Sequence, residues 1–190
     1  IDGLSGGFAI ICSIIFGISY FRLGEYNYPL VVLCAIIIGS VLAFLYYNLS
    51  NYRVSKIFMG DTGSLILGFL LAFTAILFIN LFIDKADVNI PKYHLQTAPV
   101  IAIAILILPI VDTLNVIIIR ILQRKSPFDA DKNHIHHKLL KLDLTHRRSS
   151  FYIIVYYIFV VAVVYYFRHL NINLLFVLVM AIGFFGCYLP

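Results

Sequence analysis

The chain has 190 residues, of which 62% are hydrophobic and only 12% are charged. Soluble domains are usually about 45–50% apolar, so this composition excludes a soluble globular protein and predicts an all-α, polytopic integral membrane protein. The formal net charge of +5 would suit a nucleic-acid partner, but the charges are clustered between apolar segments. That clustering argues against nucleic acid and for a charged membrane face.

Six apolar segments are predicted to cross the membrane as helices, because each approaches the ~20 mostly apolar residues that a bilayer requires. The fourth segment contains Pro109, which predicts a kink. In chain order the segments are residues 6–21, 29–47, 63–83, 98–122, 151–167 and 172–189.

The connecting segments predict the orientation. Ten of the Lys and Arg residues fall on one side of the membrane and four on the other. Positive residues concentrate in the cytoplasm, so the first side is predicted to be cytoplasmic. Asp2, Asp61 and the histidine-rich residues 134–137 all fall on that side. Three polar clusters on one membrane face predict a single site built from cytoplasmic loops.

The chain begins with IDGLSGG, where Asp-Gly predicts a turn and the paired glycines permit close approach of backbone or ligand. On local sequence alone, a plain cytoplasmic loop that enters a helix is the favoured explanation of this stretch.

The second polar cluster is KIFMGDTGS, in which Asp61 comes directly before an apolar run. A carboxylate suits a helix N-terminus, so Asp61 is explained by helix capping alone. Two flanking glycines, Gly60 and Gly63, suggest open backbone amides that bind phosphate, with Mg²⁺ bridging Asp61 to it. Lys56 adds positive charge, and Phe58 is either an interfacial anchor or a stacking surface for a base.

An ionisable residue, Asp112, lies inside the fourth apolar segment, in PIVDTLNVIIIR. A charge at that depth either has a function or makes a structural hydrogen bond to a neighbouring helix. Arg120 closes the same segment and can reach phosphate of a lipid or a substrate.

The third cytoplasmic cluster is SPFDADKNHIHHKLL, residues 126–140, which begins like a helix. At helical spacing His134 and His137 share a face. Zinc binding, phosphate contact, acid–base chemistry and a basic helix lying on anionic lipid all remain open for this segment.

Taken together, these motifs resemble those of the polyprenyl-phosphate N-acetylhexosamine-1-phosphate transferases, membrane enzymes of the glycosyltransferase family 4 type. The Phe-Met-Gly-Asp-x-Gly-Ser motif is matched residue for residue by FMGDTGS. IDGLSGG looks like the second half of the family's Asp-Gly motif, and PIVDT looks like its Pro-x-x-Asp-Thr segment. HIHH resembles the His-x-His-His motif of the GlcNAc branch, rather than the histidine run of the phospho-MurNAc-pentapeptide translocases.

The resemblance implies transfer of N-acetylhexosamine-1-phosphate, on this branch GlcNAc-1-phosphate, from a UDP-sugar to undecaprenyl or another polyprenyl phosphate, with release of UMP. It implies Mg²⁺, with Mn²⁺ as an alternative, bound by Asp61. It implies a multi-pass protein of the plasma membrane that initiates an envelope polysaccharide such as lipopolysaccharide or teichoic acid. The implied catalytic residues are Asp2, Asp61, His134, His136 and His137, and the implied substrate-binding residues are Asn51, Lys56, Phe58, Arg120 and Lys132.

The family's Asp-Asp-x-x-Asp motif and several earlier spans are absent. Residues 1–190 are therefore expected to be the C-terminal part of one transferase domain, inactive alone, and a homodimer is compatible with the sequence. One alternative is an ion or metal transporter with Asp112 and the histidines on its path, although paired halves with broken helices would then be expected and no repeat is visible. Another is an inactive membrane scaffold.

Overall fold

The computed structural model describes residues 3–50, 56–83, 95–126, 135–140 and 145–188. Every regular element within these ranges is helical, which confirms the predicted all-α class. The helices are α1 (Leu4–Arg22), α2 (Tyr28–Asn48), α3 (Gly60–Ile83), α4 (Ala98–Ile105), α5 (Ile107–Leu122), α6 (Ile135–Leu140), α7 (His146–Tyr166) and α8 (Ile172–Tyr188), with a 3₁₀ turn at Glu25–Asn27 between α1 and α2.

The predicted membrane spans correspond to these helices. Four of them, α1, α2, α3 and α7, are long and apolar enough to cross a bilayer, and α4 with α5, bent by 74°, counts as a fifth when the pair is taken as one span. Helix α8 has 17 apolar-rich residues, close to the shortest length of about 17 residues that can span. Only 17% of the apolar window of α2 is buried inside the protein, which fits a helix that faces lipid.

Helix α7 begins well before its predicted apolar segment. Helix α7 begins at His146, five residues before the predicted start at Phe151. Its N-cap is Thr145, whose hydroxyl oxygen accepts a hydrogen bond from the Arg148 backbone N–H at 3.4 Å. Hydropathy marks only the apolar part of a helix, whereas capping decides where the helix begins.

Asp2–Ala102 forms one compact unit, in which α1 packs closely on α2. Glycine makes this approach possible, because a Cβ on Gly6 would lie 2.7 Å from Cδ2 of Leu45. Helix α3 joins them through a ring contact between Phe16 and Phe78, whose centroids are 5.6 Å apart. The hydroxyl of Tyr20 donates a hydrogen bond to the Thr74 carbonyl, so this phenol has a partner in an apolar interior.

Ile103–Pro190 belongs to a second compact unit, built from α5, α6, α7 and α8. Helix α8 contacts its neighbours through glycines. A Cβ on Gly183 would lie 3.0 Å from Ile107, and one on Gly186 would lie 2.3 Å from the ring of Tyr156. The Tyr156 hydroxyl donates to the Ile182 carbonyl at 2.6 Å, which holds this ring against α8.

The fourth span is broken at Leu106, and this confirms the kink predicted from Pro109. The break places Pro109 in the first turn of α5, where a missing N–H is tolerated. An unbroken helix would pair the Ile105 carbonyl with residue 109, but proline has no N–H to give. The Tyr157 hydroxyl supplies the missing donor instead, at 2.7 Å from the Ile105 oxygen.

Candidate active site

The Gly60–Asp61 motif lies at the start of α3. Gly60 has φ +66°, a left-handed conformation that side chains rarely adopt, so glycine is required here for the backbone itself. Asp61 lies in the first helical turn and is exposed. The hydroxyl of Ser64 donates to the Asp61 backbone carbonyl at 2.8 Å. A carboxylate in this position is favoured by the helix dipole and remains accessible to a ligand.

Two predicted substrate-binding residues lie just before the helix. Phe58 is 76% exposed, so most of its ring is available for stacking. The ammonium of Lys56 lies 5.8 Å from the centroid of that ring, within the range of a cation–π contact. Lys56 and Phe58 therefore place positive charge and an aromatic face next to Asp61 in the sequence and on the same segment.

A groove of about 270 Å³ begins at this segment and runs between α2 and α3. Gly63 has a packing role here, since a Cβ would lie 2.9 Å from Cγ of Met59. The groove is lined mainly by apolar side chains, from Phe58, Met59 and Gly63 at the motif to Ile37, Val41, Phe44, Ile66, Leu67 and Leu70 along the helices.

A residue that the sequence analysis missed, Asn48, connects this segment to the start of the chain. Asn48 is the last residue of α2 and is only 4% exposed. Its amide oxygen accepts from the Gly3 N–H at 2.8 Å, and its amide nitrogen donates to the Ile57 carbonyl at 2.9 Å. An amide at the end of an apolar span was the available signal, but such residues are common at membrane boundaries.

Gly3 is the N-cap of α1 and has φ +77°. A Cβ there would lie 3.0 Å from a methyl carbon of Leu49, so the loop is seated against the end of α2. Asp2 itself lies outside the described residues, but it is bonded directly to Gly3. Gly3 of the Asp-Gly motif and Ile57, which precedes Phe58, are thus hydrogen-bonded to the same side chain, that of Asn48.

In the second unit, Asp112 contacts the helix that carries two of the predicted histidines. Its carboxylate accepts a hydrogen bond from the Ile135 backbone N–H at 2.9 Å, at the first residue of α6. Asp112 is half-buried, whereas Ile135 is buried. The structural hydrogen bond considered for Asp112 is therefore present. Its partner is the segment that contains His136 and His137.

Arg120 lies in the last turn of α5 and is half-buried. The helix ends with two crossed backbone bonds, from Lys125 N–H to the Arg120 carbonyl and from Arg124 N–H to the Ile121 carbonyl, both at 2.9 Å. This is a Schellman ending, and Arg124 takes its left-handed position with φ 57°. It concentrates cationic side chains where the helix dipole favours them.

Several predicted site residues cannot be placed. Asp2, Asn51, Lys132 and His134 lie outside the described residues, as do the side chains of His136 and His137. Across the part of the chain that is described, no three His, Cys, Asp or Glu side chains group closely enough to hold a metal. The zinc alternative for the histidines stays a prediction. Mg²⁺ needs only one or two carboxylates beside substrate oxygens and water, so Asp61 alone fits its requirements.

Comparison with known proteins gives a consistent set of relatives. Residues 1–79 match the family model described as glycosyl transferase family 4. The chain is 35% identical to a probable undecaprenyl-phosphate N-acetylglucosaminyl 1-phosphate transferase of Bacillus subtilis, over 83% of this chain and 39% of the relative. It is 32% identical to a decaprenyl-phosphate N-acetylglucosaminephosphotransferase of Mycobacterium leprae, over 78% of this chain and 38% of the relative.

A third relative is the undecaprenyl-phosphate alpha-N-acetylglucosaminyl 1-phosphate transferase of Escherichia coli K12, at 30% identity over 78% of this chain and 37% of the relative. No solved structure matches the chain. The fold is thus that of a polytopic helical membrane protein with a polar motif at the start of a span. The family model and the relatives confirm the resemblance of the chain to glycosyl transferase family 4. It spans about two fifths of the length of the curated relatives it matches.

Proposed function

We propose that this chain is part of a membrane transferase that moves GlcNAc-1-phosphate from UDP-GlcNAc to a polyprenyl phosphate and releases UMP. The observation that carries the proposal is the exposed Asp61 in the first turn of α3, with the exposed ring of Phe58 three residues before it. The names of the relatives support the reaction type and the lipid acceptor.

The proposed reaction is a displacement at phosphorus. A phosphate oxygen of the polyprenyl phosphate attacks the phosphorus that carries the sugar, and a new P–O bond forms. The bond from that phosphorus to the bridging oxygen breaks, and UMP leaves with the electron pair. The products are UMP and a polyprenyl diphosphate sugar. Two anions must approach each other, so catalysis depends on holding them in line and on neutralising their charge.

Asp61 is proposed to bind Mg²⁺ or Mn²⁺. When bound, the metal would neutralise charge on the diphosphate of the nucleotide sugar. The backbone at Gly60 and the start of α3 direct N–H groups and the positive end of the helix dipole toward the same anion. Phe58 would stack on the uracil, and Lys56 would add positive charge beside it. Asp2 and Asn51 are proposed to complete the nucleoside pocket.

The lipid acceptor is proposed to lie along the groove between α2 and α3. Its walls are mainly apolar, as a prenyl chain requires, and Phe58 and Gly63 of the motif segment are among its lining residues. Arg120, Lys132 and the histidines 134, 136 and 137 are proposed to handle the phosphates and the sugar. The bias of Lys and Arg among the loops supports a cytoplasmic active site in the plasma membrane, and the product would begin an envelope polysaccharide.

The test uses the full-length protein in lipid vesicles with UDP-GlcNAc and undecaprenyl phosphate. We expect UMP release that stops with a chelator and returns with Mg²⁺. Asp61→Asn should lower the rate by about a hundredfold or more, since it removes the charge that holds the metal. Glu25→Gln is the matched control. It also removes a carboxylate, but from the 3₁₀ turn that follows α1 and outside the Phe58–Asp61 motif. Unchanged turnover in Asp61→Asn would remove Asp61 from the mechanism.

A further inference from the structure

We propose that Asn48 is a positioning residue that fixes Gly3, the residue bonded to Asp2, against the Ile57–Phe58 segment. The proposal rests on the proposed transferase function. It adds to that function a residue that touches neither substrate nor metal and acts through the two loops that do.

Both polar atoms of the Asn48 side-chain amide are hydrogen-bonded. Asn48 is 4% exposed, and both of its polar atoms have backbone partners in loops, at 2.8 and 2.9 Å. A planar amide donates and accepts in one rigid group, so these two bonds fix the separation of the Gly3 nitrogen and the Ile57 oxygen. A buried amide with both atoms paired is stabilising, whereas one left unpaired would cost free energy.

The two hydrogen-bond partners of Asn48 lie outside α2. Gly3 is 45 residues before Asn48, and Ile57 is nine residues after it. Neither bond belongs to the hydrogen-bond ladder of α2, so neither is needed for α2 itself to form. Gly3 is the N-cap residue of α1, and Ile57 lies in the non-helical segment just before Phe58. The two hydrogen bonds of Asn48 therefore connect Gly3 of the Asp-Gly motif with Ile57, next to the Phe58–Asp61 motif.

The Gly3 backbone is held close to the end of α2. Gly3 adopts a left-handed conformation, and a Cβ there would lie 3.0 Å from a Leu49 methyl carbon, so glycine is the residue that fits without a shift of Leu49. The bond to Asn48 must break if Gly3 moves away from α2. Removal of the amide therefore frees Gly3 to move, and a displacement of about 1 Å at a reacting site can cost about a hundredfold in rate.

The experiment compares a substitution that removes both hydrogen bonds of Asn48 with one that removes only the bond to the Ile57 carbonyl. Asn48→Ala removes both bonds. Asn48→Asp, when ionised, keeps an acceptor for the Gly3 N–H but has no donor for the Ile57 carbonyl. The matched control is Asn80→Ala, which makes the same change at an exposed position of α3. Each variant of the full-length protein is studied in lipid vesicles by hydrogen–deuterium exchange and by steady-state kinetics with UDP-GlcNAc.

In Asn48→Ala we expect the Gly3 amide to exchange at least tenfold faster and kcat/KM for UDP-GlcNAc to fall by about ten- to a hundredfold. In Asn48→Asp the Gly3 amide should stay protected while residues 56–59 exchange faster and kcat/KM still falls. Asn80→Ala should match the wild type in both measurements.

Unchanged Gly3 protection in Asn48→Ala would overturn the proposal, whatever the kinetics show. A loss of kcat/KM with unchanged exchange would instead identify a direct contact between the Asn48 amide and the substrate. If the unmodified protein releases no UMP, the proposed function fails, and the exchange measurements still decide whether Asn48 holds the two loops.

Discussion

The two compact units hold their polar segments with different chemistry. In the first unit the amide of Asn48, at the end of α2, joins two loops through one donor and one acceptor. In the second unit the carboxylate of Asp112, inside α5, accepts from the first N–H of α6. Asn48 is buried and Asp112 is half-buried.

The difference follows from the cost of burial. A neutral amide with both atoms paired can be enclosed at little cost, whereas a carboxylate must retain some polar surroundings. An amide also specifies two partners of opposite kind, while an ionised carboxylate specifies only donors. The first unit is thus expected to be sensitive to loss of the Asn48 amide donor, and the second to loss of the Asp112 carboxylate acceptor. This contrast can be tested with Asn48→Asp in the first unit and Asp112→Asn in the second.

The largest effect in the second unit is expected from Asp112→Ala. Without an acceptor for the Ile135 N–H, the start of α6 should shift, and kcat/KM for UDP-GlcNAc should fall by about a hundredfold. Asp112→Asn keeps an oxygen acceptor, so its loss should be about tenfold or less. Steady-state kinetics and hydrogen exchange of residues 135–140 measure both effects.

Leu114→Ala serves as a control on the exposed face of the same helix. The contrast between the units would be wrong if Asp112→Asn lowered kcat/KM as much as Asp112→Ala. The Asp112 carboxylate would then be needed for its charge, as in a direct contact with substrate, rather than as an acceptor.

The second prediction compares close glycine contacts in the two units. Alanine at Gly186 places Cβ 2.3 Å from a Tyr156 ring whose hydroxyl is already fixed on Ile182, so the ring cannot move away. Alanine at Gly6 places Cβ 2.7 Å from Cδ2 and 2.9 Å from Cγ of Leu45, whose side chain has no hydrogen bond that fixes it and can rotate. Gly186→Ala should lower the free energy of unfolding by about 1–3 kcal/mol, and Gly6→Ala should lower it by less.

Denaturant unfolding in detergent micelles measures both changes. Gly68→Ala is the control, because no atom lies within 4 Å of its Cβ position. Equal losses from Gly6→Ala and Gly186→Ala would show that the anchoring of Tyr156 does not matter.

The spans were predictable from the sequence because they depend on one quantity, the hydropathy of about twenty consecutive residues. The break in the fourth span was likewise predictable from Pro109, since the lack of a backbone N–H is a local property of proline. The start of α7 was missed because His146–Ser150 is polar and its helix depends on the Thr145 cap.

At the candidate site, the motifs alone pointed to Asp61 and Phe58. The part played by Asn48 could not be read from the sequence, because Gly3 is 45 residues away from it. Sequence spacing likewise gave no sign that Asp112 contacts Ile135, 23 residues further on. Such contacts depend on how helices pack, and packing is set by many weak contacts rather than by one motif.

The smallest effect is expected at the break in the fourth span, where a tyrosine replaces a backbone donor. Tyr157→Phe removes the hydroxyl that donates to the Ile105 carbonyl, and it should lower the free energy of unfolding by about 1 kcal/mol. Pro109→Ala restores an N–H at position 109, which can pair with that carbonyl if the helix closes. In the Pro109→Ala background, Tyr157→Phe should therefore cost less. Denaturant unfolding of the four proteins in this double-mutant cycle gives the coupling free energy directly. A coupling near zero would mean that the Tyr157 hydroxyl and the Pro109 break are independent features, and that some other contact of α5 holds the span open.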